Sequence, residues 1–225
     1  MATKPTIAII GSTGRMGTAI AKSLAKGNHR LLLFGRSAEE AARLGADIAT
    51  AYPQSETEGI DCQVDACWEA DIVILTVPHA AEAAVAERIK PYVTKKIVIS
   101  IANPMNETMD GMAIPPDTSA AEELQRLLPD AHVVKAFNTT FAADFSEPVI
   151  AGQQVDAFVA GDNEQAVKTV SELVASAGFR PVIAGKLAVS RTLEHMQLLL
   201  IRLNIENGYN WHAGWKILHD EQVNQ

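Results

Sequence analysis

The sequence predicts an α/β protein: a doubly wound, mostly parallel sheet with helices on both faces and a helical extension at its C-terminal end. Two observations carry this reading. Short apolar, β-branched runs alternate with alanine-rich stretches of helical length, as strands joined by crossover helices do. At the start of the chain, "TIAII" leads directly into "GSTGRMG" and then into a helical stretch, so a glycine-rich turn joins the first strand to the first helix. With 225 residues, 48% of them hydrophobic, the chain can bury one substantial core, with room for a small appendage.

Strands are expected at residues 6–10, 30–34, 71–77, 96–101, 132–137, 157–160 and 180–183, with a weak extra strand near 60–65. Helices are expected at 15–26, 38–44, 79–90, 119–128 and 164–177. Pro78 stops the run "DIVILTV" and Pro91 closes the helix that follows, because proline fits neither a continuing strand ladder nor a helix interior. Asn163 or Asp162 suits an N-cap and Gly178 a C-terminal stop. Residues 103–118, "NPMNETMDGMAIPPDT", form the one long irregular connection, at the carboxyl end of a central strand where functional loops gather. After Gly185 comes a long helical region followed by "YNWHAGWKILHD". The boundary is drawn between a nucleotide-binding unit, 1–145, and a smaller region, 146–225, that completes the sheet and an adjoining cleft and ends in long helices.

The formal net charge of −8 argues against nucleic acid as a partner, since neutralising a phosphate polymer needs clustered Lys and Arg. Cys62 and Cys67 have no further Cys to complete a zinc site and read as ordinary thiols of a reducing compartment. "MATKPTIAII" lacks a signal-peptide core and "LLLIRLNI" is broken by Arg202 and Asn204, so a cytoplasmic protein without membrane spans is expected.

Gly11, Gly14 and Gly17 fit three different needs of a pyrophosphate loop: a tight turn, close backbone approach to the phosphates, and close packing of helix on strand. The amides at the start of the helix, with its positive end, would face the phosphates, and Ser12, Thr13, Arg15 and Met16 would line the contact. The end of the second strand selects the nucleotide. An acidic residue there would bind the ribose 2′-hydroxyl of NAD, whereas "FGRS" supplies Gly35, Arg36 and Ser37. Arg36 can fork onto a 2′-phosphate with Ser37 donating alongside, so NADP is expected.

No side-chain acid–base pair stands out. Tyr92 and Lys96 have Tyr-x-x-x-Lys spacing but run from Pro91 into a strand rather than along a helix, and His79, His132, His195, His212 and His219 read as packing or surface residues. Hydride transfer between a nicotinamide and a flavin or deazaflavin ring needs no such pair, since proximity and exclusion of water supply most of the acceleration. The other readings left open are an NADPH-dependent reductase of a small carbonyl compound and a non-catalytic NADP-binding redox sensor.

"IIGSTGRMG", "GRSAEEA", "ADIVILTVPHAA", "IVISIANPMN", "TSAAEELQRLLPDAHVVKAFNT" and "GKLAVSRTLEHMQLLLIRLNIENGYNWHAGWKIL" together resemble the coenzyme F420-dependent NADP oxidoreductase family. The segments before the tail are also similar to the cytosolic oxidoreductase domain of the STEAP metalloreductases, notably at "VVKAFNT". The resemblance implies NADP bound over the carboxyl ends of the strands and a flavin-like partner, coenzyme F420 or a flavin, in the adjoining cleft. By position it places Val77, Pro78 and His79 beside the cofactor, Ala102, Asn103 and Pro104 near the nicotinamide, and Asn138 and Thr139 toward the acceptor ring. Archaeal members tend to carry His where "AFNT" has Asn138, which leaves FMN or FAD open as the acceptor. Leu198, Leu199, Ile201, Leu203 and Ile205, with Trp211 and Trp215, are too many for one narrow stripe and cover either the core or an exposed partner face. The resemblance, whose family is dimeric, implies a packed helical element that also builds a homodimer interface, and core packing alone stays open.

Overall fold

A computed structural model of the chain describes residues 4–220. In chain order its elements are β1 (Thr6–Ile10), α1 (Arg15–Leu24), β2 (Arg30–Phe34), α2 (Ala38–Ala51), β3 (Glu56–Ile60), α3 (Gln63–Glu69), β4 (Ile72–Leu75), α4 (His79–Ile89) and β5 (Ile97–Ser100). There follow α5 (Ala120–Leu127), β6 (His132–Lys135), the short hairpin β7 (Val149–Ile150) and β8 (Gln153–Gln154), β9 (Asp156–Gly161), α6 (Glu164–Ser176), β10 (Arg180–Gly185) and α7 (Ser190–Asn207).

One eight-stranded sheet runs in the order β10-β9-β6-β5-β4-β1-β2-β3. Every neighbouring pair is parallel except β6 with β9, so the sheet continues across residue 145 with a single reversal. The chain leaves β1 toward β2 and returns on its other side as β4, each in register with it. Such a reversal of winding opens a crevice above the carboxyl ends of the strands, where α/β proteins hold nucleotides.

Alternate residues of β1 point to opposite faces and are buried on both. Ile7 and Ile9 share one core cluster with Ile20 and Leu24 of α1 and, further along the sheet, the buried side of α6; Ala8 and Ile10 share the other with buried residues of α3, α4 and α5. Each fully buried Ile or Leu contributes about 1.5–3 kcal/mol, so the central strands need little help from local propensity. Asn163 is the N-cap of α6, accepting from Ala166 N at 2.9 Å, and Gly178 follows that helix at φ +95. Cys62 and Cys67 are both free thiols, and burial pushes Cys67 up to about 12. Among the described residues no helix is long and apolar enough to cross a membrane.

Three expectations are corrected. The extra strand lies at Glu56–Ile60 rather than 60–65, and Gln63–Glu69 is helical. As an edge strand with one open face, "ETEGI" carries almost no apolar signal, while Gln63, Ala66 and Cys67 of α3 form a buried stripe at helical spacing. Helix α2 runs seven residues past Leu44, because Gly45 lies where a Cβ would come 3.2 Å from Gly59 N and the glycine lets helix and strand meet. The tail holds one long helix, α7, ended by Gly208 at φ +69; residues 209–220 form an irregular strap. That strap is held by Asp156, whose carboxylate takes a fork from Arg180 at 2.6 Å and 2.6 Å and the Ile217 amide at 2.7 Å. Burial would raise the Asp156 pKa, but Arg180 and the amide outweigh it and hold the group below the usual carboxylate range.

Candidate functional site

The turn after β1 is closed by backbone bonds. Gly11 adopts φ +97, its amide and that of Ser12 donate to Phe34 O at 2.8 and 2.9 Å, and the Gly14 amide returns to Gly11 O at 3.0 Å. The first bond of α1 runs from Thr18 N to Gly14 O, so the Arg15, Met16 and Gly17 amides of the opening turn have no intrahelical partner. A Cβ on Gly17 would stand 2.3 Å from Gly11 O and 2.8 Å from Thr76 Oγ1, and one on Gly11 would meet the same threonine at 2.9 Å. Thr76, just past β4, ties the assembly by donating to Ile10 O at 2.9 Å. Its part was not legible, since "LTVP" gives no sign that the threonine faces the first loop.

The end of β2 adjoins this turn. A Cβ on Gly35 would be 2.8 Å from the Thr13 side chain, so the glycine allows the two loops to touch. Arg36 is exposed and has no ion pair among the described residues. Ser37 caps α2, its hydroxyl oxygen accepting from Glu40 N at 3.2 Å while its O–H stays available to donate.

On the other side of the switch point, Val77 and Pro78 lead into α4, with Pro78 at its N-cap. His79 is fixed between two helices: Nδ1 lies 3.0 Å from Glu82 of α4, and Nε2 lies 3.5 Å from Glu123 of α5. The bond to buried Glu82 raises the His79 pKa, against desolvation and with help from the charges of Glu82 and Glu123. Lys96, of the Tyr-x-x-x-Lys match, is spent elsewhere, donating to the Cys67 and Trp68 carbonyls at 2.9 and 2.5 Å.

Beyond β5 and β6, Asn103 and Asn138 bond reciprocally. Asn103 Nδ2 donates to Asn138 O at 2.9 Å, and Asn138 Nδ2 donates to Asn103 Oδ1 at 3.0 Å and to Leu193 O at 3.1 Å. Both Asn138 N–H groups are thereby used, and its Oδ1 is left buried with no partner. Phe137, immediately before it, is held at φ +59, an uncommon conformation for a bulky residue.

A buried ion pair lies behind this corner. Lys135 of β6 and Glu194 of α7, 0% and 1% exposed, are 2.6 Å apart, and Lys135 Nζ also donates to Ala102 O. Glu194 accepts from Ala120 N at 3.2 Å at the start of α5. Burial raises the Glu194 pKa, and Lys135 and the helix amides oppose that. Four segments thus converge on the pair, and the backbone at Ala102, next to Asn103, is fixed by it.

A cleft of about 790 Å³ runs along α1 from its opening turn and joins these parts. Arg15 and Met16, Asn103 and Asn138, and Phe141 line it, together with Gln197, Ile201 and Trp211 from the C-terminal region. Phe141 and Trp211 meet edge to face with centroids 5.4 Å apart. The lining includes no carboxylate, histidine or thiol. Of the expected site residues only Arg15, Met16, Asn103 and Asn138 line this cleft. Gly11, Ser12, Thr13, Gly14 and Gly17 lie outside it, as do Gly35, Arg36, Ser37, Val77, Pro78 and His79, and Ala102, Pro104 and Thr139, the last fully buried with its hydroxyl unpartnered. Gln197 leaves no mark in the sequence, because only its long-range placement brings it to the cleft; it is 3% exposed and its Oε1 has no partner among the described residues.

Fold, loop and switch-point crevice define a dinucleotide-binding protein of the Rossmann class. The family model for "NADP oxidoreductase coenzyme F420-dependent" matches residues 6–104. The F420-dependent NADP reductase of Methanocaldococcus jannaschii is 34% identical over 217 residues, covering 89% of this chain and 92% of that one. A putative F420-dependent NADP reductase of Arthrobacter sp. FB24 superposes with a TM-score of 0.81 at 25% identity, covering 95% of this chain and 99% of that one. The rat metalloreductase STEAP3 is 27% identical over 198 residues, which span 37% of its own length. The chain belongs to the F420-dependent NADP reductase family.

Proposed function

We propose that the protein transfers hydride between NADP(H) and coenzyme F420. The observation that carries this within the family is the cleft: it reaches from the opening turn of α1 to Asn103 and Asn138, and its lining includes no carboxylate, histidine or thiol. The residues fit a dinucleotide. Arg15, Met16 and Gly17 amides suit the pyrophosphate, and Gly11 and Gly17 keep the turn bare enough for it to approach. Arg36 is free to fork onto the 2′-phosphate, with the Thr13 and Ser37 hydroxyls alongside.

When bound, the nicotinamide supplies a hydride that two stacked rings exchange without help from a titrating side chain. The chain's contribution is then placement and dryness. The reciprocal bonds fix Asn103 and Asn138 at the cleft wall, with Asn138 Oδ1 the one side-chain group of the pair left as an unpartnered acceptor. The Lys135–Glu194 pair holds the Ala102–Asn103 backbone in place, and Phe141, Ile201 and Trp211 shield the cleft from water. Residues 146–225 accordingly form the acceptor side of the site. Anaerobic mixing of NADPH with F420 tests this: loss of oxidised deazaflavin absorbance is expected, and reduction no faster than without protein refutes it. FMN and FAD in parallel decide whether a flavin replaces the deazaflavin.

The tail also favours a homodimer. Leu199, Ile205, Tyr209, Trp211, Ile217 and Leu218 are each more than 40% exposed, a concentration of large apolar groups that a second copy would cover. Light scattering at a mass of one chain would refute it.

A further inference from the structure

We propose that the outer part of the cleft is a subsite for an extended, multiply anionic tail carried by the acceptor, with Lys22 and Lys26 as its binding residues. This rests on the reading of the cleft as the acceptor site. The chain carries a net charge of −8, yet the cleft lining contains three cations, Arg15, Lys22 and Lys26, and no carboxylate. None of the three has an ion pair among the described residues, although ten such pairs occur elsewhere.

Their positions separate two duties. Arg15 stands at the opening turn of α1, within reach of the pyrophosphate. Lys22 is seven residues further on, about 10 Å along the helix axis, and Lys26 lies past the helix end. That span exceeds what a pyrophosphate seated on the first turn occupies. It matches a chain of charged groups leading outward from a ring beside Asn103 and Asn138. A lysine in the last turn of a helix also complements the helix dipole, but that duty needs neither a second lysine beyond the helix nor a cleft between them. The apolar and aromatic inner wall with a basic outer one therefore fits a planar ring with an anionic tail, as F420 has in its phosphate and glutamates, better than a small neutral carbonyl compound.

The test compares two probes: F420 with its phosphate-and-glutamate tail, and the same deazaflavin ending at the ribityl chain. Dissociation constants come from quenching of deazaflavin fluorescence, alongside KM and kcat with NADPH. On the wild type, the tailed compound is expected to bind about five- to tenfold more tightly at low ionic strength, the scale of two exposed charge pairs, and the advantage shrinks as salt is raised. Lys22→Gln/Lys26→Gln should bring the ratio of the two constants close to one, and Lys22→Glu/Lys26→Glu should invert it. Equal binding of both probes by the wild type, or an unchanged ratio in both variants, overturns the subsite alone. A tenfold loss of NADPH affinity in the Gln variant also overturns it, assigning the lysines to the dinucleotide. A wild type that binds neither probe overturns the acceptor reading, and the subsite with it.

Discussion

The dinucleotide side and the acceptor side of the cleft are built from different materials. Around β1, α1 and the end of β2, the site consists of backbone: amides of a helix start, glycines where a Cβ would collide, and a carbonyl, Phe34 O, that receives two of them. Around Asn138 it consists of side chains whose partners are far away in the chain: Asn103 is 35 residues distant, Leu193 is 55, and Lys135 reaches Glu194 across 59. A backbone site writes itself into a short stretch of sequence, because only glycine satisfies its geometry. A side-chain site leaves no such stretch, because each residue is ordinary until its partner is known.

The comparison is broken most forcefully at the ion pair. Glu194→Ala strands the Lys135 ammonium in the interior and is expected to lower the unfolding free energy by about 3–5 kcal/mol, as removal of one member of a buried pair does. Lys135→Met/Glu194→Leu should recover most of that loss. Urea denaturation of the three proteins checks it; a single variant within 1 kcal/mol of wild type would show that the pair does not hold the acceptor side together.

Within the backbone site, the glycines are unequal. Gly17→Ala pushes a methyl against Gly11 O and the Ser12 Cα, and a loss of about 1–3 kcal/mol is expected together with weaker NADPH binding. Gly14→Ala meets only Gly11 O at 3.3 Å and should leave stability within about 0.5 kcal/mol. Equal losses in the two would mean the G-x-x-G-x-x-G pattern reports flexibility rather than contact.

That inequality also marks how far the sequence could be read. The alternation of strands and helices, the loop, Asn163 and Gly178 were legible because each is a local choice made by a few adjacent residues. The edge strand β3 was placed too late because "ETEGI" has one solvated face. The long helical region after Gly185 was legible as far as Gly208, but nothing in "YNWHAGWKILHD" shows that the residues past it are held by Asp156 and Arg180 instead of by helical bonds. Gly214 shows the same limit: a Cβ there would lie 2.5 Å from Val155, a contact nothing near "HAGW" announces.

Arg36 tests the dinucleotide side where it does depend on a side chain. Arg36→Ala is expected to weaken NADPH binding by about 1–3 kcal/mol, the scale of a charge-assisted bond, with little change for NADH. Calorimetric titration of both nucleotides decides it. Equal losses would remove the 2′-phosphate role and leave Arg36 as a solvated turn residue.

The smallest effect is expected at His79, where the two sides meet. Its pKa is raised above 6.5, chiefly by the bond to Glu82, so the folded protein binds this proton more tightly than the unfolded chain does. The resulting stabilisation is fully present below 6.5 and is lost as pH rises through the folded-state value. His79→Gln keeps a polar group between α4 and α5 but cannot take the charge. The urea midpoint of wild type should therefore exceed that of the variant in buffer below 6.5, and the gap should close in buffer well above it. A gap that stays constant would mean His79 joins α4 to α5 as a neutral hydrogen-bonding group rather than through its charge.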